Sequence, residues 1–136
     1  SSATAVPESQ GIAVTKSGVS NSLSVVTATT REGNLSKDIQ LAAQSSATLV
    51  ILMGIRKLVE IAMEIGRYRE SYTPLAIIQN GTLPNEKCVT GTLSDAVRLS
   101  LDLDESSPGI IVIGDVVADH PSFFEDAIQR VVGMEL

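Results

Sequence analysis

The sequence predicts an α/β domain in which one mixed sheet of five strands is flanked by helices. Its 136 residues, of which 43% are hydrophobic, are enough to bury one substantial core. Short apolar, β-branched runs recur along the chain, and segments with helical periodicity separate them. There is no internal repeat, low-complexity tract or linker, so we expect a single domain over residues 1–136.

Four apolar runs predict buried strands, because they lack the polar alternation of a sheet with one exposed face. In chain order they read SLSVVTATT, ATLVILMG, PLAIIQNG and PGIIVIGDVV. The alternating run KCVTGTL predicts a fifth strand at an edge of the sheet. The residues that we expect at the centre of the core are Val50, Ile51, Leu52, Ile77, Ile78, Ile111, Val112 and Ile113.

Two helices are predicted before the third strand. Ser36 has the side chain of an N-cap and precedes a short helix that we expect to run through Ala43. Residues 55–67 predict an amphipathic helix that packs on the sheet. The apolar face of that helix comprises Ile55, Leu58, Val59, Ala62 and Ile65.

Two further helices are predicted in the second half of the chain. Thr92 and Asp95 have the spacing of a capping box, which indicates a helix from Ser94 onward. The last helix should start at Pro121, with Ser122 and Glu125 as its capping box. Its apolar residues at helical spacing are Phe124, Ala127, Ile128 and Val131.

Charge and cysteine content exclude several classes of function. With 16 acidic and 10 basic residues, the net charge of −6 opposes binding to nucleic acid or to an anionic membrane surface. The single Cys88 excludes an internal disulfide, and there is neither a secretory signal nor an apolar run of about 18 residues. We therefore expect a cytoplasmic protein.

Common catalytic constellations are absent from the sequence. The one histidine, His120, stands before a proline at a predicted helix start, so a capping or surface role is expected. Cys88 lies on a strand without a nearby histidine, which favours a structural thiol over a nucleophile. No metal site is predicted, because the clustered carboxylates lack the pattern of a calcium loop. Those carboxylates are Asp102, Asp104 and Glu105.

Three predicted strands end or break at a glycine, at Met53-Gly54, at Asn80-Gly81 and at Gly114. Asn-Gly usually marks a two-residue hairpin, but the next apolar run starts only near Cys88, so this connection is a longer loop. Ligands of α/β sheets bind beyond strand ends, where glycine permits close approach of the backbone. We therefore predict a ligand site there, although each glycine taken alone is compatible with a tight turn.

Four blocks carry a family resemblance: GIAVTKSGVSNSLSVVTA, LVILMG, PLAIIQNGTLPNEKCVTGTL and GIIVIGDVV. In order and spacing they resemble the second half of the uroporphyrinogen-III C-methyltransferases, which are tetrapyrrole methylases that use S-adenosylmethionine. The resemblance implies that residues 11–136 form the C-terminal lobe of a two-lobe enzyme. It also implies that residues 1–10 are a remnant of the helix between the lobes, and that the N-terminal lobe is absent from this chain.

The resemblance also implies which residues contact ligands. Cofactor-binding positions correspond to Ser1, Ser2, Met53, Asn80 and Gly81. The substrate-binding segment of the family usually reads Thr-His-Arg, and here Thr15 is kept while Lys16 replaces the histidine. Lysine attracts a carboxylate as a point charge without the bidentate fork of arginine. No catalytic side chain is implied in this half.

The implied reaction is methyl transfer from S-adenosylmethionine to two pyrrole carbons of uroporphyrinogen III, giving precorrin-2 for siroheme or cobalamin synthesis. The carboxylates of that substrate call for local positive charge, for which Lys16 and Arg31 are the candidates. A homodimer is also implied, and neither nucleic acid nor membrane is expected as a partner. An isolated lobe should be inactive.

Two other hypotheses stay open. Another precorrin methylase would share the strand-end pattern, and a non-catalytic binding or dimerisation module would explain the fold alone. The residues that precede Ser1 in the gene distinguish these hypotheses, because a methyltransferase should carry a Gly-Pro-Gly-Asp type loop there.

Overall fold

The five predicted strands pair into one sheet in the computed structural model, which describes residues 1–135 and all of their side chains except those of 130, 131, 134 and 135. The spatial order is β1-β2-β5-β3-β4. β1 and β2 are parallel and the other pairs are antiparallel, so the sheet is mixed as predicted. β4 lies at one edge of the sheet, as predicted, but β1 lies at the other edge with only Val26 buried, so the prediction of a buried strand there was wrong. The strands are β1 (Leu23–Thr27), β2 (Thr48–Leu52), β3 (Pro74–Gln79), β4 (Lys87–Thr92) and β5 (Gly109–Ile113).

Both faces of the sheet are covered by apolar packing, which is why the central strands are uniformly apolar. One face packs against α2, α3 and α4, and the other against α1, a 3₁₀ segment after β5 and the start of α5. The predicted central residues are buried, with Leu52 only partly so. The helices are α1 (Ser2–Ser9), α2 (Lys37–Ala43), α3 (Leu58–Ile65), α4 (Ala96–Leu101) and α5 (Ser122–Glu135).

The first three predicted helices after β1 form close to their expected positions. The Ser36 hydroxyl accepts a hydrogen bond from the Asp38 N–H at 3.2 Å, which confirms the cap of α2. The helix predicted over 55–67 begins with a 3₁₀ turn over Ile55–Lys57 and continues as α3. The capping box of Thr92 and Asp95 is confirmed before α4.

The start of α5 differs from the prediction. Ser122 is the first helical residue, and its N–H donates to Nδ1 of His120 at 3.1 Å. His120 is therefore the cap, as expected for that residue, and the predicted Ser122–Glu125 capping box was wrong. The apolar residues Phe124 and Ile128 face solvent, and the side chain of Val131 lies outside the described part of the chain. The neighbouring Phe123 packs on the core instead.

Candidate ligand site at one edge of the sheet

Strained backbone conformations concentrate at the edge of the sheet where β2 and β3 end and β5 begins, which is a row of strand termini and not an edge strand. Within residues 1–135, the non-glycine residues with positive φ are Met53 (57°), Asn80 (55°) and Thr82 (67°). Met53 directly follows β2 and Asn80 directly follows β3, and both strands run antiparallel to β5. Their ends therefore meet at the same edge, whereas Gly114 follows β5 and lies at the opposite edge beside Thr48, so the prediction that Gly114 shares this site was wrong. Each such conformation costs on the order of 1–3 kcal/mol, and such strain is typical of functional sites.

The start of β5 lies between these two strand ends. Gly109 pairs with Gln79 of β3, and Ile110 pairs with Leu52 of β2. Met53 and Asn80 are therefore two strand spacings apart, roughly 10 Å. A Cβ atom on Gly109 would lie 3.0 Å from the carbonyl oxygen of Ile78, a backbone atom that cannot easily move aside, so this position favours glycine.

A cleft of about 460 Å³ opens beside Met53, whose side chain is 73% exposed. Arg56 and Lys57 contribute positive charge to its wall, which also includes Glu105, and Lys57 pairs with Glu60 at 3.4 Å. Sequence reasoning missed both basic residues, although they closely follow Met53-Gly54. Arg31, which was nominated from the sequence, lies in the tight loop between Thr29 and Gly33, and both of these residues line the cleft. The cleft is lined by Thr29, Gly33, Met53, Ile55, Arg56, Lys57 and residues 105–109.

The loop between β3 and β4 is ordered by its own polar contacts. The Thr82 N–H donates to Oε1 of Glu86 at 3.0 Å, and the Leu83 N–H donates to the Asn80 carbonyl at 3.0 Å. At the base of the loop, the buried Gln79 donates through Nε2 to the Asp104 carbonyl at 2.7 Å. The connection is therefore a structured loop, which confirms the prediction of a connection longer than a two-residue hairpin.

Helix α1 packs directly over this loop, and this changes the explanation for Gly81. A Cβ atom on Gly81 would lie 2.5 Å and 2.7 Å from the two γ-carbons of Val6. Gly81 is also absent from the residues with positive φ within 1–135. The structure thus requires glycine because a helix approaches the loop, whereas we had expected a ligand against the backbone. At Gly54 a Cβ atom would lie 2.8 Å from Cδ1 of Ile61, which is the end of a flexible side chain, so glycine is less strictly required there than at Gly81.

Ser1 and Ser2 lie at the start of α1. Ser1 is the N-cap without a side-chain cap bond, and both side chains are exposed. Ala3 and Pro7 are the buried residues of α1, so the helix is held on the sheet by its opposite face. The two serines are therefore free to contact a ligand through their side chains.

Among the predicted ligand-binding residues, only Met53 lines the cleft of about 460 Å³. The others lie outside its lining, namely Ser1, Ser2, Thr15, Lys16, Asn80 and Gly81. Nζ of Lys16 forms an ion pair with the Asp119 carboxylate at 3.0 Å, and both side chains are close to half exposed. Thr15 is exposed in the turn that precedes β1. An exposed pair of this kind contributes little stability, so Lys16 can exchange its partner.

Other chemical groups in the described chain give no alternative active site. Burial raises the pKa of the Cys88 thiol to about 12, with the Glu86 and Asp126 carboxylates adding to the shift, so the thiol is unreactive. No cluster of three or more His, Cys, Asp or Glu side chains suited to a metal is found among the described residues. The helices of the described chain are too short or too polar to cross a membrane.

Two larger depressions contain none of the predicted ligand-binding residues. One, of about 750 Å³, lies at the outer edge of β1. The other, of about 630 Å³, lies between β4, α4 and α5. The edge with the strained backbone is therefore the candidate site on grounds of geometry and not of size.

Comparison with known proteins agrees with this architecture. A family profile described as Tetrapyrrole (Corrin/Porphyrin) Methylases matches residues 1–97. The chain belongs to the tetrapyrrole methylases. Among curated members of the family, a uroporphyrinogen-III C-methyltransferase of Methanocaldococcus jannaschii is 41% identical over 118 residues, which are 85% of this chain and 49% of that protein. A siroheme synthase of Actinobacillus pleuropneumoniae is 41% identical over 97 residues, 68% of this chain and 20% of that protein.

Solved tetrapyrrole methylases share the fold. A uroporphyrin-III C-methyltransferase of Thermus thermophilus, complexed with S-adenosyl homocysteine, superposes with a TM-score of 0.71 at 26% identity, over 82% of this chain and 49% of that one. A cobalt precorrin-4 methyltransferase superposes with a TM-score of 0.75 at 15% identity, over 86% and 50% of the two chains, which shows the fold alone. This methylase chain thus spans about half the length of the uroporphyrinogen-III C-methyltransferases that it matches.

Proposed function

We propose that this chain is the C-terminal lobe of an S-adenosylmethionine-dependent C-methyltransferase that converts uroporphyrinogen III to precorrin-2. The observation that carries the proposal is the cluster of strained residues at one sheet edge, at Met53, Asn80 and Thr82. Strain is retained where a ligand needs a fixed backbone. The similarity to uroporphyrinogen-III C-methyltransferases supports the reaction class.

In this proposal, S-adenosylmethionine binds across the edge that carries the strained residues. Met53 offers an apolar, polarisable side chain. Asn80 offers its side-chain amide, because its backbone N–H and carbonyl already bond to Pro108 and Leu83, and Gly81 offers its backbone. Ser1 and Ser2 contact the cofactor from the start of α1, and a second lobe supplies the opposite wall. The positive charge of Arg31, Arg56 and Lys57 attracts substrate carboxylates, and Thr15 and Lys16 bind the substrate after Lys16 leaves Asp119.

The chemistry fits a site without an acid–base constellation. The attacking group is an electron-rich pyrrole carbon and the leaving group is a neutral sulfur, so the methyl transfer itself needs little proton transfer. Holding the two reactants in line can lower the barrier by roughly 7–11 kcal/mol. A rigid, strained backbone edge is suited to that task. We extend the proposal to a cytoplasmic homodimer that binds neither nucleic acid nor membrane, in keeping with the net charge of −6.

The test is methyl transfer by the full-length gene product. Incubation with S-adenosylmethionine and uroporphyrinogen III should give a product that has gained two methyl groups by mass spectrometry. Parallel incubation with later precorrins identifies a different methylase of the same family. Absence of transfer to every tetrapyrrole, with no binding of S-adenosylhomocysteine, would contradict the proposal.

The isolated chain should fold without binding S-adenosylmethionine tightly. Its strands, caps and helices agree with one compact unit, but only one wall of a two-lobe pocket is present. Each loss of about 1.4 kcal/mol in binding free energy weakens affinity tenfold, so losing several kcal/mol moves a micromolar dissociation constant into the millimolar range. Equilibrium dialysis of residues 1–136 against labelled cofactor measures this, and low-micromolar binding would refute the two-wall argument.

A further inference from the structure

We infer that Glu86 is a positioning residue whose carboxylate fixes helix α1 to the loop that follows β3. This loop and the start of α1 are two of the parts proposed to contact the cofactor, so the inference rests on the proposed function. Glu86 itself precedes β4 and does not line the cleft beside Met53. Its expected effect on the cofactor therefore acts through the backbone that it holds.

The Glu86 carboxylate joins segments that are far apart in the sequence. Oε1 accepts hydrogen bonds from the Thr82 N–H at 3.0 Å and from the Ser9 hydroxyl at 2.9 Å. Oε2 accepts from Nε2 of Gln10 at 2.7 Å. Thr82 belongs to the loop, while Ser9 and Gln10 form the C-terminal end of α1. One side chain thus bonds the loop to the C-terminal end of α1, the helix whose start carries Ser1 and Ser2.

The loop contact secures a strained residue. Thr82 has a φ of 67°, which a β-branched residue rarely adopts. Its N–H donates the hydrogen bond that Glu86 accepts. Hydrogen bonds to an ionised carboxylate are roughly twice as strong as neutral ones. The Thr82 N–H is also the main reason why the pKa of Glu86 lies below its usual range, with Ser9 and Gln10 lowering it further.

The donor and the acceptor in the hydrogen bond between α1 and Glu86 are fixed by the neighbouring His120. The Ser122 N–H donates to Nδ1 of His120, so in the neutral ring the proton is on Nε2. Nε2 of His120 lies 2.9 Å from Oε1 of Gln10 and is the donor in that bond. The amide group of Gln10 must then point its NH₂ towards Glu86, which requires an acceptor at Oε2.

Helix α1 depends on such contacts, because a helix of 8 residues is not stable by itself. Its buried residues Ala3 and Pro7 hold the helix on the sheet, and Val6 holds it against Gly81. Glu86 adds the bonds to its last turn. Loss of the carboxylate should therefore loosen both the loop and the end of α1 without unfolding the core.

Amide hydrogen exchange in residues 1–136 tests the contact without any ligand. In Glu86→Ala, the Thr82 amide should exchange at least about tenfold faster, because its acceptor is gone. Glu86→Gln keeps one carbonyl oxygen for Thr82 and Ser9, so the Thr82 amide should exchange at close to the wild-type rate. Asp95→Ala is the control, since it removes the capping box of α4 and leaves the loop intact. An unchanged Thr82 rate in Glu86→Ala would overturn the inference.

Titration of the full-length protein with S-adenosylhomocysteine tests the positioning role. We expect about tenfold weaker binding for Glu86→Ala and an intermediate loss of about threefold for Glu86→Gln, which keeps the acceptor for Thr82 and Ser9 but places an NH₂ group against that of Gln10. Asp95→Ala should bind like the wild type although it is also less stable, which separates positioning from general destabilisation. Equal affinity of Glu86→Ala and wild type overturns the positioning role. If the wild type does not bind, the proposed function fails and the ligand role of Glu86 fails with it, whereas amide exchange still decides the structural contact.

Discussion

Substituting Gly81 by alanine tests the packing of α1 on the loop that follows β3. The new Cβ atom would lie 2.5 Å and 2.7 Å from the two γ-carbons of Val6, and 3.1 Å from its Cβ. Rotating Val6 cannot remove both methyl contacts, so the helix or the loop must move. Because Gly81 lacks a positive φ, the cost is steric and not conformational. Overpacking of this kind costs about 1–3 kcal/mol of unfolding free energy.

A double-mutant cycle isolates this contact. Val6→Ala removes the two γ-carbons and leaves the 3.1 Å contact, which small shifts can relieve. Alone, it should cost about 1 kcal/mol, since Val6 is only partly buried. In the Gly81→Ala background it should recover about 1–2 kcal/mol. Urea unfolding of all four proteins with a common m-value provides the measurement, and strictly additive losses would refute the steric explanation.

Three further substitutions test the strain at Met53, the hydrogen bonds of Arg69 and the titration of His120. Met53→Gly should stabilise the chain by about 1 kcal/mol in urea, because glycine adopts φ 57° without strain, yet it should weaken S-adenosylhomocysteine binding by the full-length protein. Arg69→Lys should cost about 1–3 kcal/mol in the same assay, since the guanidinium donates to four carbonyls at the end of α2 and beyond it. Burial lowers the pKa of His120 despite the opposing effect of Asp126, so its contribution to stability is present above the ordinary histidine pKa of 6.5 and is lost as the pH falls below it. His120→Asn keeps an acceptor for the Ser122 N–H without titrating there, so urea unfolding at several pH values should give a flatter profile than the wild type; an equal slope would exclude His120 as the titrating group.

Local patterns in the sequence predicted most of the fold. Four apolar runs and one alternating run identified the five strands, and the near absence of polar alternation in β2, β3 and β5 correctly indicated that these strands are covered on both faces. The caps of α2 and α4 were also predicted, because Ser36 and the Thr92–Asp95 pair bond to backbone groups only a few residues away. Such contacts depend on side-chain type and spacing, which the sequence displays directly.

Contacts between distant segments could not be predicted in this way. Because β5 lies between β2 and β3, Met53 and Asn80 come to one edge of the sheet. No local sequence pattern predicts this strand order. The ion pair that occupies Lys16 also joins residues from opposite ends of the chain. The cap of α5 was misassigned because Ser122 and Glu125 have the right spacing, whereas the position of the His120 ring decides which group accepts the first N–H.

The sequence by itself predicted a ligand site where strands end at Met53-Gly54 and at Asn80-Gly81, because glycine permits close approach of the backbone. Only the tertiary structure decided why each one is there. Met53 and Asn80 carry backbone strain, while Gly81 makes room for Val6 and Glu86 bonds the adjoining loop to α1. The physical reason is that the contacts of Gly81 with Val6 and of Glu86 with Ser9 and Gln10 join segments more than 70 residues apart, and a linear pattern carries no information about that approach.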